Sequence, residues 1–456
     1  MNLEGKKVLV VGLGKTGEAL CHFLLRHKAR VKVSEKKKPE ELGQRIPFWE
    51  QKGVVVEAGN HQQESFTEAD LIVPSPGVPW SPELEAAKSK GIKIISEIEL
   101  ASNYLKGKIV GITGSNGKST TATLTHKILK NGGLQSYLAG NIGTPLISFV
   151  ENSKGEHIYV SELSSFQLAY INHFRASISV FLNISHDHLD WHSSFTDYYE
   201  AKKKLLFSQK KNDIAILNQD DPLVWKLKNL QELEVFAFSR KREVSKGCFL
   251  RGDWIIFSNA KEEKLIKTSV IPLLGIHNQE NIMASALVGH ILGIPLIKIK
   301  DSIQRFQGLE HRLEEVKTVK EINFFNDSKA TNVDAASKSI QSFDRKIILI
   351  LGGRDKGGDF TKLLKPIKEK VSRIILLGEA RDKIRDALKN TVPIETASSM
   401  KEAVKSGYSR AKPGEVVLLA PACTSFDMFQ NFEERGEVFK REVLNLEKEL
   451  KEKRTT

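Results

Sequence analysis

Short apolar runs alternate with segments of helical spacing along most of the chain. In the first hundred residues Lys7 to Val11, Val31 to Ser34, Val54 to Glu57, Leu71 to Pro74 and Lys93 to Ile95 read as strands. Helical patterns separate them, which predicts a parallel sheet with crossover helices. The same alternation returns with strands at Ile158 to Ser161 and Ile178 to Asn183, and again at Ile347 to Leu351, Arg373 to Leu377 and Val416 to Leu419. At 456 residues the chain exceeds one ordinary core. It divides into three α/β blocks, residues 1–97, 98–306 and 307–456. The charged tail after Phe439 reads as a solvated terminal helix.

Two glycine motifs sit where this pattern turns from strand to helix. After the run Ile109, Val110, Ile112 comes Thr113-Gly114-Ser115-Asn116-Gly117-Lys118-Ser119-Thr120, followed by a helical segment from Thr121 to Lys130. Strand, Gly-rich turn, Lys-Ser and helix cradle nucleotide phosphates: backbone N–H groups converge on the anion, Lys118 reaches it, and Ser119 or Thr120 can hold Mg²⁺. Ile112 replaces the first glycine of the general P-loop pattern, so this is a narrower form. Earlier, Gly12-Leu13-Gly14-Lys15-Thr16-Gly17 opens the first helix and Glu35 closes the second strand, a complete dinucleotide fingerprint. The fold class is therefore α/β with a Rossmann-like N-terminal domain, a central P-loop ATPase-like domain and a C-terminal Rossmann-like domain.

Composition narrows the classes further. The net charge of +13 is scattered through segments such as Lys36-Lys37-Lys38, with no aromatic-interleaved basic stripe, so nucleic acid is not the expected partner. No apolar run approaches the roughly 20 residues of a membrane helix, and the N-terminus enters a strand directly; the expectation is a cytoplasmic protein with no membrane partner. Cys21, Cys248 and Cys423 are far apart and read as buried apolar residues.

Further clusters carry chemistry. Ser161-Glu162-Leu163-Ser164-Ser165-Phe166-Gln167 places Glu162 after a strand, as an acid for Mg²⁺ or as a helix cap. Asn183-Ile184-Ser185-His186-Asp187-His188-Leu189-Asp190 brings His and Asp together; the spacing departs from zinc hydrolase patterns, and Mg²⁺ is the better expectation. Lys202-Lys203-Lys204 alone reads as a solvated helix face. Asn278 and Asn281 share a helical face and suit adenine or capping. Arg312, Asp327 and Lys329 suit a second clamp on transferring phosphate.

Taken in order, T-G-S-N-G-K-S-T, S-E-L-S-S-F-Q, D-H-L-D, Y-x-x-A-K, H-N-x-x-N, H-R-L-E and N-D-S-K-A-T-N resemble the Mur ligases, ATP-dependent enzymes that build the peptide stem of peptidoglycan. The N-terminal glycine motif, Ser75-Pro76-Gly77, Ala139-Gly140-Asn141-Ile142-Gly143 and the segment Pro421 to Phe432 resemble the branch that joins D-glutamate to UDP-N-acetylmuramoyl-L-alanine. The resemblance implies ATP on Gly114, Ser115, Asn116, Gly117, Lys118, Ser119 and Thr120, with Asn278, Asn281, Arg312 and Asp327. It implies two Mg²⁺ on Ser119, Glu162, His188 and Lys202, the last as a carbamate formed with CO₂. The UDP substrate falls to Gly14, Lys15, Thr16, Glu35, Ser75, Pro76, Gly77, Asn141 and His188. D-Glutamate falls to Thr331, Lys356, Ser425, Phe426 and Phe432. Glu35-Lys36-Lys37 departs from the Asp-Thr-Arg-like triplet of relatives.

The implied catalytic set is Lys118, His188, Lys202 and Lys356, in a monomer whose C-terminal domain closes on ATP. The base that deprotonates the incoming amine is not legible; His188 is a candidate on pKa grounds. Alternatives are an NAD-dependent oxidoreductase, which explains only the first glycine motif, a sister ligase such as folylpolyglutamate synthetase, and a nucleotide-gated binding protein.

Overall fold

A computed structural model describes residues 1–189, 191–230 and 232–455. Asp190, the last residue of the D-H-L-D motif, lies outside that set. The chain forms two compact units. One comprises Met1–Ile184, Trp191–Ile266 and Asn281–Ser302, the other Ser185–Asp190, Lys267–Glu280 and Ile303–Thr456.

The first unit holds two sheets. Strands β1 (Lys7–Val11), β2 (Arg30–Glu35), β3 (Val55–Ala58), β4 (Leu71–Pro74) and β5 (Lys93–Ile94) form a sheet of order β3-β2-β1-β4-β5, with every pair parallel. Val8 and Val10 of β1 enter one apolar core while Leu9 and Val11 enter another, so helices cover both faces and the strand reads as a continuous apolar run.

The second sheet contains β6 (Lys108–Thr113), β7 (Ser136–Gly140), β8 (Ile158–Glu162), β9 (Ile178–Phe181), β10 (Ile214–Asn218), β11 (Glu234–Ser239), β12 (Lys246–Arg251), β13 (Trp254–Asn259) and β14 (Lys261–Lys267), ordered β14-β13-β12-β11-β10-β9-β6-β8-β7. From β7 to β12 the neighbours run parallel, and β13 turns antiparallel to β12. Sequence reading passes over the β12 to β14 meander because its polar residues interrupt the apolar run. One apolar core takes Val8 and Val10 from the first sheet, Tyr159 from the second, and Leu20, Leu163 and Leu205 from the helices and loop beside them.

The second unit is built on β15 (Glu314–Val319), β16 (Ile322–Asn326), β17 (Ile347–Gly352), β18 (Val371–Leu377), β19 (Ile394–Thr396) and β20 (Val416–Leu419), ordered β15-β16-β20-β17-β18-β19. Only the β15–β16 pair is antiparallel. The terminal helix Phe432–Thr455 corrects one expectation: it is not a solvated tail. Phe439, Val443 and Leu446 are buried in the core under the sheet, because the apolar positions repeat at i, i+4 and i+7 among charges that face water. The three cysteines are buried and unbridged. No described helix is long and apolar enough to cross a membrane.

Candidate active site

In the first unit the phosphate-type loop links β6 to the helix Lys118–Asn131. Gly117 caps this helix with φ +87°, and a β-carbon there would fall 2.2 Å from Asn281 Oδ1. Only glycine meets both demands. The loop is cross-braced by Asn183, two residues beyond β9: Ser115 N–H donates to its carbonyl at 3.0 Å, and Asn116 N–H donates to its side-chain oxygen at 2.9 Å. The Lys118 ammonium folds back onto the carbonyls of Gly114 and Ser115, each at 2.8 Å. It thus sits in the concavity where a phosphate would replace those carbonyls as its partner. Ser119 and Thr120 are buried in the first turn.

Lys202 does not lie on a solvated helix face. It is 1% exposed and donates to the Gly114 carbonyl at 2.9 Å and to Thr113 Oγ1 at 3.3 Å, with its charge over the Tyr198 ring. Tyr198 in turn pairs with the Ser115 hydroxyl at 2.8 Å. The helix Phe195–Phe207 therefore braces the loop from below.

Glu162 ends β8 and is 2% exposed. Its Oε1 accepts from Asn141 Nδ2 at 2.8 Å, whereas Oε2, also buried, has no hydrogen-bond partner among the described residues. A buried carboxylate oxygen without a partner suits a hard cation. The adjacent helix is capped by Ser164 with Gln167 and not by Glu162, which removes the capping alternative.

The first glycine turn is closed in the same manner. A β-carbon on Gly17 would lie 2.1 Å from the Gly12 carbonyl oxygen, so glycine lets the helix Lys15–Arg26 approach the turn. Glu35 Oε2 accepts the Leu13 N–H at 2.7 Å, Arg45 donates to the Leu13 carbonyl, and Ser75 Oγ donates to the Gly12 carbonyl at 3.1 Å. Gly14, with no side-chain cap, starts the helix, followed by Lys15 and Thr16. The Lys15 ammonium reaches the Gly143 carbonyl. Pro76 and Gly77 follow Ser75, and Val78 next to them accepts from the Trp191 indole N–H at 2.9 Å.

In the second unit a cavity of about 410 Å³ is lined by His188, Thr331 and Lys356 together with Asp187, Asn332 and Asp334. Asp187 is the hub: Lys356 Nζ lies 3.4 Å from Oδ1, Asn332 donates to Oδ2 at 3.1 Å, and His188 Nε2 lies 3.5 Å from Oδ2. His188 has φ +55°. Ser425, Phe426 and Phe432 are not in the lining; Ser425 is buried, Phe426 is 62% exposed, and the Phe432 ring faces the Lys329 ammonium.

A larger cavity of about 720 Å³ in the same unit is lined by Asn278, Arg312 and Arg345. Arg312 is presented between His311 and Leu313, both with positive φ. Buried Asp327 accepts from the Ser339 hydroxyl, and burial raises its carboxyl to about 6 against the pull of Ser339 and Arg312. Asn281, in the first unit, accepts from Thr121 Oγ1 at 3.3 Å.

Sequence reasoning missed Asn183, Asn332 and Arg435. Arg435 is 2% exposed and donates to Ser328 Oγ and to the carbonyls of Ser328, Cys423 and Thr424. An arginine among the exposed charges of a terminal helix carries no sequence signal. Asn183 directly precedes the His-Asp cluster, and nothing in its local sequence marks it as a brace for the distant phosphate-type loop.

Residues 6–96 match the model of the Mur ligase MurD-like N-terminal domain, 112–289 the Mur ligase middle domain, and 311–423 the Mur ligase glutamate ligase domain. The chain is 43% identical to the UDP-N-acetylmuramoylalanine--D-glutamate ligase of Koribacter versatilis, covering 99% of this chain and 100% of the relative. It is 42% identical to that of a Thermoanaerobacter species, covering 98% and 100%. Among solved structures, UDP-N-acetylmuramate-alanine ligase MurC from Thermotoga maritima aligns with TM-score 0.61 at 18% identity, covering 96% and 99%. The MurF ligase from the same organism, in complex with ADP, aligns with TM-score 0.59 at 17% identity, covering 97% and 96%. These two show the fold. Three consecutive domain models and full-length relatives above 40% identity place the chain in the Mur ligase family, within its UDP-N-acetylmuramoylalanine--D-glutamate ligase branch.

Proposed function

We infer that this chain joins D-glutamate to the L-alanyl carboxylate of UDP-N-acetylmuramoyl-L-alanine, using ATP, in the synthesis of peptidoglycan precursors. The observation that carries the reading is full-length identity of 43% to a ligase of that name. A carboxylate cannot expel oxide, so ATP converts it to an acyl phosphate. The deprotonated amine of D-glutamate attacks, and the tetrahedral intermediate collapses to amide and inorganic phosphate.

Each assigned residue follows from what the chemistry needs. Lys118 and the N–H groups at the start of its helix neutralise the transferring phosphoryl group. Mg²⁺, when bound, supplies further charge neutralisation on the phosphates. Glu162 and the Ser119 hydroxyl are oxygen donors for it, and the partnerless Oε2 of Glu162 supports that role. Lys202, as a carbamate, and His188 complete the donor set in this reading. The place of Lys202, buried against the Gly114 carbonyl of the phosphate-type loop, supports that role.

UDP is assigned to the uncapped helix start at Gly14, Lys15 and Thr16, with Glu35, Ser75, Pro76 and Gly77 around it, and Asn141 and His188 toward the muramoyl part. ATP further engages Asn278, Asn281, Arg312 and Asp327. D-Glutamate, an amine with two carboxylates, is assigned to the cavity at Thr331 and Lys356, where cations and carboxylates alternate; Ser425, Phe426 and Phe432, outside that lining, are assigned to it on the family pattern alone. The NAD alternative explains only the first glycine motif and gives no role to the second phosphate-type loop or to the buried Glu162.

The test is phosphate release with UDP-N-acetylmuramoyl-L-alanine, Mg²⁺, ATP and each candidate amino acid in turn. D-Glutamate should be the strong activator, and Lys118→Ala should lower release at least about 100-fold. Release no greater with D-glutamate than without an amino acid would refute the assignment.

A further inference from the structure

We propose that Glu97, outside every substrate site above, is a positioning residue that holds residues 141–147 so that this loop serves the nucleotide-sugar side and the metal side together. The proposal rests on the functional reading just given. Glu97 opens the short helix Glu97–Ser102 and is 1% exposed. Its Oε1 accepts the Ile147 N–H at 2.6 Å. That N–H lies in the first turn of the 3₁₀ helix Leu146–Asn152, whose N-cap, Pro145, has no side chain that can cap it. Glu97 supplies the cap from a distant part of the chain.

Upstream of that anchor the chain touches two assigned sites within a few residues. The Gly143 carbonyl accepts from Lys15, at the helix start assigned to UDP. Asn141 donates through its side chain to Glu162 Oε1 at 2.8 Å and through its backbone N–H to the Glu162 carbonyl at 2.9 Å. Gly140 N–H donates to the Thr144 carbonyl at 3.1 Å, which closes the turn. A closed turn transmits displacement instead of absorbing it, so moving Ile147 moves both Gly143 and Asn141.

The anchor itself is fixed. Glu99, two residues on in the same short helix and on a different face of it, accepts N–H groups from Asn172, His173 and Phe174, which ties that helix to a second segment. Of the charged groups on the packed elements, Glu99 is thus saturated and Glu151 pairs with His27 at 3.2 Å. Burial, opposed by the backbone N–H groups at Ile147 and Leu146, raises the Glu97 carboxyl to about 7.

Full-length Glu97→Ala and Glu97→Gln enzymes test this by steady-state phosphate release. Glu97→Ala should raise both KM for the UDP substrate and half-saturating Mg²⁺ about 10-fold, with KM for D-glutamate unchanged. Glu97→Gln keeps the Oε1 acceptor but cannot titrate; it should restore both constants to within about threefold and lose the pH inflection near 7 in the UDP-substrate KM. The proposal is overturned if Gln fares no better than Ala, or if all three constants move together, or if only the melting temperature changes. A wild-type enzyme that releases no phosphate with D-glutamate would instead overturn the functional reading. The same variants would then be judged by direct calorimetric titration of UDP and Mg²⁺, where unchanged affinities refute the role of Glu97.

Discussion

The Lys202 ammonium donates to the Gly114 carbonyl at 2.9 Å, beneath the phosphate-type loop and almost entirely out of water. A carbamate on this amine would turn a cation into an anionic oxygen donor of the kind Mg²⁺ prefers.

Lys202→Ala is expected to lose on the order of 100-fold in phosphate release while still binding ATP. Short carboxylates such as acetate should partly restore activity by filling the space with an anionic oxygen donor. Wild-type enzyme in CO₂-depleted buffer should slow and recover on adding bicarbonate. Indifference to both additions would count against the carbamate.

Gly117→Ala places a β-carbon on a left-handed residue and against Asn281 Oδ1. The change should destabilise by roughly 1–3 kcal/mol and weaken ATP binding more than UDP-substrate binding, because the strain sits in the phosphate turn. Thermal melts and separate titrations with the two nucleotides check the contrast.

Arg435→Met would leave the Ser328, Cys423 and Thr424 carbonyls without their donor. We expect a loss of about 3 kcal/mol, seen as a lower urea midpoint for the second unit. Arg435→Lys should recover little, since a single ammonium cannot span the same acceptors.

Two buried carboxyls set a pH dependence with a definite sign. Burial lifts Asp327 from 3.8 to about 6 and Glu97 from 4.5 to about 7. The folded protein therefore keeps protons that the unfolded chain has released, and stability falls as pH rises through roughly 4 to 7. Urea midpoints measured from pH 5 to 7.5 should decline, and Asp327→Asn with Glu97→Gln should flatten the curve. A rising midpoint in the parent would contradict this assignment.

Much of this molecule was legible in advance because its signals are local. Val8 to Val11 reads as a strand because both faces are covered, and Gly117 and Gly17 stand where a turn admits no β-carbon. Lys202 misled a residue-by-residue reading: in a run of three lysines its burial cannot be seen, and only the family pattern singled it out. The terminal helix misled for the opposite reason, since charge density hid the apolar stripe of Phe439, Val443 and Leu446. Arg435 and Glu97 gave no local signal at all, because their partners lie in other segments of the chain.

By itself, then, the amino-acid sequence determined the α/β class, the two phosphate-type turns and the family, since strand periodicity, glycine φ and motif order are properties of short windows read in series. Tertiary structure alone decided that Glu162 keeps one carboxylate oxygen without a partner, that Asn183 and Tyr198 brace the loop, and that Asp187 gathers Lys356, Asn332 and His188. Those facts depend on which distant backbone donors and side chains meet in the folded chain. Burial and hydrogen-bond satisfaction are sums over three-dimensional neighbours, which no window of sequence contains.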